Sequence, residues 1–208
     1  IFLGGGDTVF SNKLSFTIAS IGFSNDIIYR NRVKHNDDIY VSGNLGDSYL
    51  GLQILQKKIK LNNLMTKYFI SQYFLPNIKL KLAGHLKKFA NSSIDISDGL
   101  LSDLNKLINN QKLSYKLFLK NVPISKNLEK VLNDKKILKI NFISRGDDYQ
   151  VLFTASQNKR GIIKRISRKH GIKITKIGLI KNKSIKSSII DHNNAVITLK
   201  NKGYIHKF

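Results

Sequence analysis

The stretch Ile94-Asp95-Ile96-Ser97-Asp98-Gly99-Leu100 is the most informative part of the sequence. Its alternating isoleucines predict a short strand, and Ser97-Asp98-Gly99 predicts the turn that leads into a helix. Carboxylates such as Asp95 and Asp98 beside a helix N-terminus can bind Mg²⁺, while the Ser97 hydroxyl and the free amides face a phosphate. Ordinary capping of the helix by Ser97 or Asp98 explains the same heptad equally well.

Two further clusters combine glycine with aspartate, Gly4-Gly5-Gly6-Asp7 and Gly146-Asp147-Asp148. Either cluster alone is an ordinary turn. The chain has only 13 acidic residues, however, and several of them lie beside glycines, where backbone amides can approach a ligand closely. Taken together, the clusters favour Mg²⁺-assisted handling of a phosphorylated ligand.

The composition excludes several classes of protein. The chain has 208 residues, 41% of them hydrophobic, which favours a packed core. It has no cysteine, so disulfide scaffolds, cysteine-ligated zinc sites and thiol catalysis are excluded. No apolar run approaches the roughly 18 residues of a membrane helix and no signal peptide opens the chain, so we expect a cytoplasmic protein without a membrane partner.

The charge balance raises the alternative of a nucleic-acid-binding module. Lysine and arginine number 36, which gives a formal net charge of +23. The lysines are spread along the chain, and the densest basic stretch, 159–169, predicts a solvated helix face opposite Ile162, Ile163 and Ile166. We therefore expect no nucleic-acid partner; such a module would instead bind with a steep salt dependence.

Strand and helix patterns alternate, which predicts an α/β or α+β fold. Strands are expected at 13–23, 38–43, 92–96, 113–119, 149–154, 172–180 and 195–199. Helices are expected from Asp47 or Ser48, at 62–74 and 77–90 on either side of Pro76, from Leu100, at 126–134 and at 157–170.

Five motifs in order resemble the thiamine-monophosphate kinase family, part of the aminoimidazole-ribonucleotide-synthetase-like superfamily. They are Gly-Gly-Asp-Thr (5–8), Tyr-Val-Ser-Gly-x-x-Gly-Asp-Ser-x-x-Gly-Leu (40–52), Ile-Asp-Ile-Ser-Asp-Gly-Leu-x-x-Asp-Leu (94–104), Gly-Asp-Asp-Tyr (146–149) and Gly-Tyr-x-His (203–206). The resemblance implies direct in-line transfer of the ATP γ-phosphoryl group to thiamine monophosphate, assisted by Mg²⁺, with thiamine diphosphate as product.

The resemblance also assigns residues to roles. Those implied are Asp7, Asp95 and Asp98 for Mg²⁺; Gly6, Asp7, Arg30 (with Arg32 as the alternative) and Ser97 for ATP; and Asp147 and Tyr204 for the substrate. No covalent nucleophile or general base is implied. Two positions depart from the family pattern Gly-Gly-Glu-Asp, because this chain has Arg145 and Asp147 there. Arginine loses the conformational freedom of glycine, and aspartate is one methylene shorter than glutamate.

The resemblance finally implies an organisation in two parts. Residues 1–24 are expected to be the tail of an amino-terminal domain that binds ATP and Mg²⁺, and 30–208 the carboxy-terminal α/β domain. A homodimer is expected for a complete protein. Another ATP-dependent enzyme of the superfamily and a degenerate, non-catalytic relative remain alternatives.

Overall fold

One mixed sheet organises the part of the chain that the computed structural model describes, namely residues 4–10, 12–191 and 193–197. Its strand order is β2-β4-β1-β5-β3-β6-β7, antiparallel throughout except for the pair β3 and β6. The strands are β1 Asp38–Ser42, β2 Ser92–Asp95, β3 Leu113–Phe118, β4 Val151–Ala155, β5 Ile174–Asn182, β6 Ser188–Ile190 and β7 Val196–Ile197. The helices are α1 Asp47–Leu55, α2 Asn63–Phe74, α3 Leu80–Leu86, α4 Leu100–Leu107, α5 Lys126–Asp134, α6 Ile140–Ile143 and α7 Arg160–His170.

Helices cover both faces of this sheet. On β1, Ile39 and Val41 pack in a cluster with the leucines of α4, whereas Tyr40 points to the opposite face and packs with α3 and α7. Successive residues of a strand alternate between faces, so a short apolar strand supplies both layers at once. A third cluster joins α1, α2 and α5 beside the sheet. The mixed α/β fold predicted from the sequence is confirmed.

Helix α7 shows how the basic composition is accommodated. Ile163 and Ile166 are buried against the sheet, and the lysines and arginines of the helix are exposed. The helix ends at Gly171, whose φ of 61° allows the left-handed turn that closes it. The predicted solvated basic face is therefore confirmed. Within the described ranges, no helix is both long and apolar enough to cross a membrane.

The strand predicted at 13–23 is wrong. Residues 12–27 are exposed and have no regular secondary structure, and the side chains of Leu14, Phe16 and Ile18 are between 84% and 91% exposed. A strand needs a neighbouring strand to bond its amides and carbonyls, and none of the strands in the described part of the chain pairs with this segment. The alternating pattern alone does not supply that neighbour.

Other differences are smaller. The helix expected at 77–90 is limited to α3, and the strand expected from residue 149 begins at Val151. Neither α6 nor β6 is predicted by the sequence, because elements of three or four residues are too short to show a period. Asp47 and Ser48 do not cap α1; the N-cap is Gly46, with a φ of 89° and no side-chain hydrogen bond.

A buried carboxylate ties the sheet to α7. Asp38 on β1 is fully buried, and its oxygens accept from the Arg160 guanidinium at 2.5 and 2.9 Å and from the Lys176 ammonium at 2.7 Å. Burial opposes ionisation, but the two cations outweigh it and lower the pKa of Asp38. Burial and the charge of Asp38 together raise the pKa of the neighbouring Tyr40 hydroxyl to about 12.

We expect Asp38→Asn to lower the free energy of unfolding at pH 7 by about 2 kcal/mol, because its charge-assisted hydrogen bonds, two from Arg160 and one from Lys176, are weakened or lost. The pKa of Asp38 is lowered by folding, so its stabilisation is present above the unfolded pKa of about 3.9 and is lost as the pH falls through the folded value. Urea unfolding at several pH values measures the effect. The difference between the two proteins should narrow only below about pH 4.

Asp134→Asn is the matched control, because Asp134 is exposed at the end of α5. Its free energy of unfolding should stay within about 0.5 kcal/mol of the wild-type value. Equal stability of Asp38→Asn and wild type at pH 7 would contradict the stabilising role of this ion pair.

Candidate active site

Two loops meet at one end of the sheet, where β2 ends and β4 begins. The strands are antiparallel neighbours with Asp95 opposite Val151, so the residues after β2 necessarily lie beside those before β4. Backbone bonds continue this pairing into the loops: Tyr149 N–H donates to the Ile96 carbonyl at 2.9 Å, and Asp147 N–H to the Ser97 carbonyl at 3.0 Å. The heptad that the sequence singles out is thereby joined to the Gly146-Asp147-Asp148 cluster.

Glycines make this close approach possible. A Cβ atom on Gly146 would lie 1.7 Å from the Ser97 carbonyl oxygen, and one on Gly99 would lie 2.3 Å from the Ser144 carbonyl oxygen. Gly99 also has a φ of 106°, which side chains disfavour. The backbone of each loop therefore packs directly against the glycine Cα of the other loop.

Asp103 holds the loop that follows β2 in place. Its carboxylate is fully buried, and one oxygen accepts from the backbone N–H groups of Ser97 at 3.0 Å and of Asp98 at 2.9 Å. The N-cap residue of α4 is Gly99, which has no side-chain capping bond. The prediction that Ser97 or Asp98 caps α4 is therefore wrong.

Lys106 links Asp103 to Asp98. Its ammonium donates to the second oxygen of Asp103 at 2.8 Å and also contacts the Asp98 carboxylate. Burial disfavours the charged ammonium, but the hydrogen bonds and charges of the two aspartates outweigh it and raise the pKa of Lys106. The carboxylate of Asp98 is thus held in place by a cation from the helix that follows its loop.

Three carboxylates surround the mouth of this loop pair. Burial and then the charge of Asp98 raise the pKa of Asp147. Burial raises the pKa of the Tyr149 hydroxyl, and the charges of Asp147, Asp95 and Asp98 raise it further. Since such effects act over short distances, the four side chains share one electrostatic environment.

The carboxylates fit Mg²⁺ in kind, because this ion takes hard oxygen ligands and is usually bound by one or two carboxylates, water and substrate phosphates. In the described ranges, no three acidic or histidine side chains converge closely enough to hold a metal ion by themselves. Asp98 and its neighbours therefore offer part of a coordination shell, and phosphate and water would complete it.

A cleft of about 640 Å³ opens beside these loops. Its walls are Tyr49, Leu52, Gln53, Gln56, Lys58, Tyr73, Ser97, Asp98, Arg145, Gly146, Asp147 and Tyr149. The Arg145 guanidinium carbon lies 5.6 Å from the centre of the Tyr49 ring, a cation–π contact that holds the arginine on the wall. The expected strain at Arg145 does not arise, because the left-handed residues of this turn are Asp147 and Tyr149, with φ of 68° and 48°.

Two buried aspartates lie close to the cleft, and neither is among the residues to which the family resemblance assigns a role. Asp148 accepts the N–H of Gly46 at 2.9 Å with both oxygens, and complete burial raises its pKa well above the usual value. Asp47 accepts from the hydroxyls of Ser125 at 2.7 Å and Tyr68 at 3.0 Å, and burial raises its pKa as well. The available signal was their position one or two residues after a glycine, Gly46 before Asp47 and Gly146 before Asp148.

The other predicted site residues are dispersed. Arg30 lies at the far end of β2, where its carbonyl accepts from the Ser92 hydroxyl. Gly6 and Asp7 are exposed, and the Asp7 carboxylate bonds the adjacent Thr8 N–H at 2.8 Å. Tyr204 lies outside the described residues. The structure thus brings together Ser97, Asp98 and Asp147, with Asp95 at their edge; the assigned roles stay predictions.

We expect Gly146→Ala to lower the free energy of unfolding by at least about 2 kcal/mol, because the new methyl group forces the two loops apart. Gly161→Ala is the matched control: a Cβ there meets nothing within 4 Å, and Gly161 lies in the first turn of α7. That change should leave stability unchanged or raise it by up to about 1 kcal/mol. Urea unfolding decides; equal stability of Gly146→Ala and wild type would mean that the loops are not locked.

No protein-family model matches the chain. Its curated relatives are thiamine-monophosphate kinases. It is 35% identical to that of Buchnera aphidicola subsp. Schizaphis graminum over 206 residues, which cover 97% of this chain and 62% of the relative. It is 31% identical to that of Escherichia coli K12 over 205 residues, again 97% of this chain and 62% of the relative.

Solved structures give the same result. The thiamine-monophosphate kinase of Stenotrophomonas maltophilia superposes with a TM-score of 0.70 at 25% identity, covering 82% of this chain and 54% of that one. AaThiL complexed with AMPPCP and TMP also gives 0.70 at 25% identity, covering 86% and 54%. The chain therefore spans about 62% of the length of its curated relatives. It is a homologue of the thiamine-monophosphate kinases along almost its whole length and has the aminoimidazole-ribonucleotide-synthetase-like fold that they share.

Proposed function

We propose that the protein phosphorylates thiamine monophosphate to thiamine diphosphate with ATP, by Mg²⁺-assisted in-line transfer. The observation that carries the proposal is the pairing of the 96–99 and 144–150 loops, which places Ser97, Asp98 and Asp147 on one cleft in a homologue of these kinases. AaThiL has been solved with the ATP analogue AMPPCP and TMP.

The reaction calls for residues that position the two phosphates and neutralise their charge, and it needs no nucleophilic side chain. The acceptor is a phosphate oxygen that is already ionised at neutral pH, so the reaction needs alignment and charge neutralisation more than a base. Asp95 and Asp98, together with Asp7, would hold Mg²⁺, which neutralises charge on the transferring phosphoryl group. The Ser97 hydroxyl and the Arg145 guanidinium on the cleft wall supply donors for phosphate oxygens.

The cleft also suits the organic part of the substrate. Its volume of about 640 Å³ lies within the usual range of small-molecule sites. Tyr49, Tyr73 and Tyr149 on its walls offer aromatic surface. Thiamine carries a cationic thiazolium ring, which is attracted to the faces of aromatic rings and to a carboxylate. Asp147 supplies such a carboxylate beside the tyrosines, in agreement with its proposed role in substrate binding.

The remaining assignments follow from the same proposal. Gly6, Asp7 and Arg30 would contact ATP or its metal ion, and Tyr204 the thiamine moiety. Residues 1–24 would form the tail of an amino-terminal domain, and the exposed apolar side chains of Leu14, Phe16 and Ile18 support this because they need a covering layer. The complete protein would be a cytoplasmic homodimer.

We expect the 208-residue chain, given ATP, Mg²⁺ and thiamine monophosphate, to form thiamine diphosphate and ADP. Asp95→Asn should reduce the rate about 100-fold, because a charged ligand of the metal–phosphate complex is lost. Asp134→Asn, an exposed carboxylate on α5, should retain the full rate. Chromatographic separation of the thiamine phosphates measures the product.

Absence of thiamine diphosphate, or a rate that Asp95→Asn leaves unchanged, would contradict the proposal. Release of ADP with a different acceptor and none with thiamine monophosphate would favour another ATP-dependent enzyme of the superfamily. Absence of ADP release with every acceptor would favour a non-catalytic relative.

A further inference from the structure

Lys106 occupies an unusual place for a surface lysine. It lies in the last turn of α4, three residues after Asp103, a spacing that puts both side chains on one face of the helix. Its ammonium is bonded at once to the fully buried carboxylate of Asp103 and to the partly exposed carboxylate of Asp98. The cation is therefore directed to the loop of the cleft rather than into solvent.

The buried carboxylate makes this arrangement rigid. One oxygen of Asp103 is taken up by the backbone N–H groups of Ser97 and Asp98, which leaves the other to anchor Lys106. The same buried group therefore sets the position of the loop and of the ammonium. Because Asp103 already orders the Lys106 side chain, the contact of its ammonium with Asp98 costs little further conformational entropy.

We infer that Lys106 is a built-in counter-cation of Asp98, which a divalent ion must displace from this carboxylate, so that Lys106 weakens the metal affinity of the cleft. The inference rests on the proposed function in one respect, that Asp98 is a metal ligand. It concerns a residue to which the family resemblance assigns no role.

The physical argument is competition for the same oxygens. A unit positive charge in contact with a carboxylate cancels much of its attraction for a second cation, and the two cations repel each other at similar range. Asp147 and Asp95 lie in the same electrostatic environment, and neither forms an ion pair of this kind with another of the described residues. Asp98 is thus the ligand whose availability Lys106 controls.

The test measures binding of Mn²⁺ alone, followed by the electron paramagnetic resonance signal of the free ion. We expect Lys106→Met to bind Mn²⁺ roughly three- to tenfold more tightly than wild type, the effect of one unit charge near the surface. Lys106→Gln, a second neutral variant, should behave alike. Lys106→Arg keeps the charge and should retain the wild-type affinity.

Lys130→Met is the matched control, because it removes an equal charge from an exposed position on α5. Its Mn²⁺ affinity should stay within about twofold of wild type, since a distant charge is screened by salt. Unfolding curves for each variant establish that the native state is populated under the conditions of the titration.

Opposite outcomes separate the explanations. Unchanged or weaker Mn²⁺ binding by both neutral variants would overturn the inference and assign Lys106 a purely structural role in holding Asp98. Absence of Mn²⁺ binding by every protein would overturn it together with the metal site of the proposed function. Tighter binding in a chain that forms no thiamine diphosphate would leave the inference standing and contradict the proposed function alone.

Discussion

The contact on which the cleft depends is a backbone contact between Ser97 and the Gly146-Asp147 turn. It continues the pairing of β2 with β4 for two residues beyond the strands, and it exists only because Gly146 has no side chain. Polar side chains that the two loops bring to the cleft, among them Ser97, Asp98 and Asp147, meet through this contact. The sheet therefore positions the two loops directly, whereas α1 and α2 supply other walls of the cleft and α4 holds the loop that follows β2 in place.

Buried carboxylates provide that support. Five aspartates are buried in a chain with 13 acidic residues: Asp37, Asp38, Asp47, Asp103 and Asp148. Removing such groups from water is costly, so each needs donors. Asp103 receives two backbone N–H groups and an ammonium, and Asp148 receives the backbone N–H of Gly46 in the loop before α1. More than a third of the scarce acids of this basic protein are thus buried, where they bond and hold the surrounding backbone and side chains.

Much of the fold could be predicted from the sequence, because the apolar periods of segments such as α4, α5 and α7 are long and regular. The part of the cleft formed by Ser97, Asp98 and Asp147 could be predicted only as separate motifs; their contact depends on strand order, which no local pattern encodes. The bracing role of Asp103 could not be found either, since an aspartate in a helix ordinarily faces solvent. The strand predicted at 13–23 is wrong for a related reason. Its alternating pattern is a local feature, whereas a strand also needs a neighbouring strand to bond its backbone.

The two left-handed residues of the 144–150 turn have a consequence for how this protein can change over generations. Asp147 and Tyr149 hold φ values of 68° and 48°, a region that asparagine and glycine enter readily and that β-branched side chains strongly disfavour. Substitution by valine or isoleucine at these positions would be selected against on backbone grounds, whatever the side chain binds. The backbone of this turn thus restricts which residues are tolerated at the two positions, in addition to any restriction that ligand contacts impose.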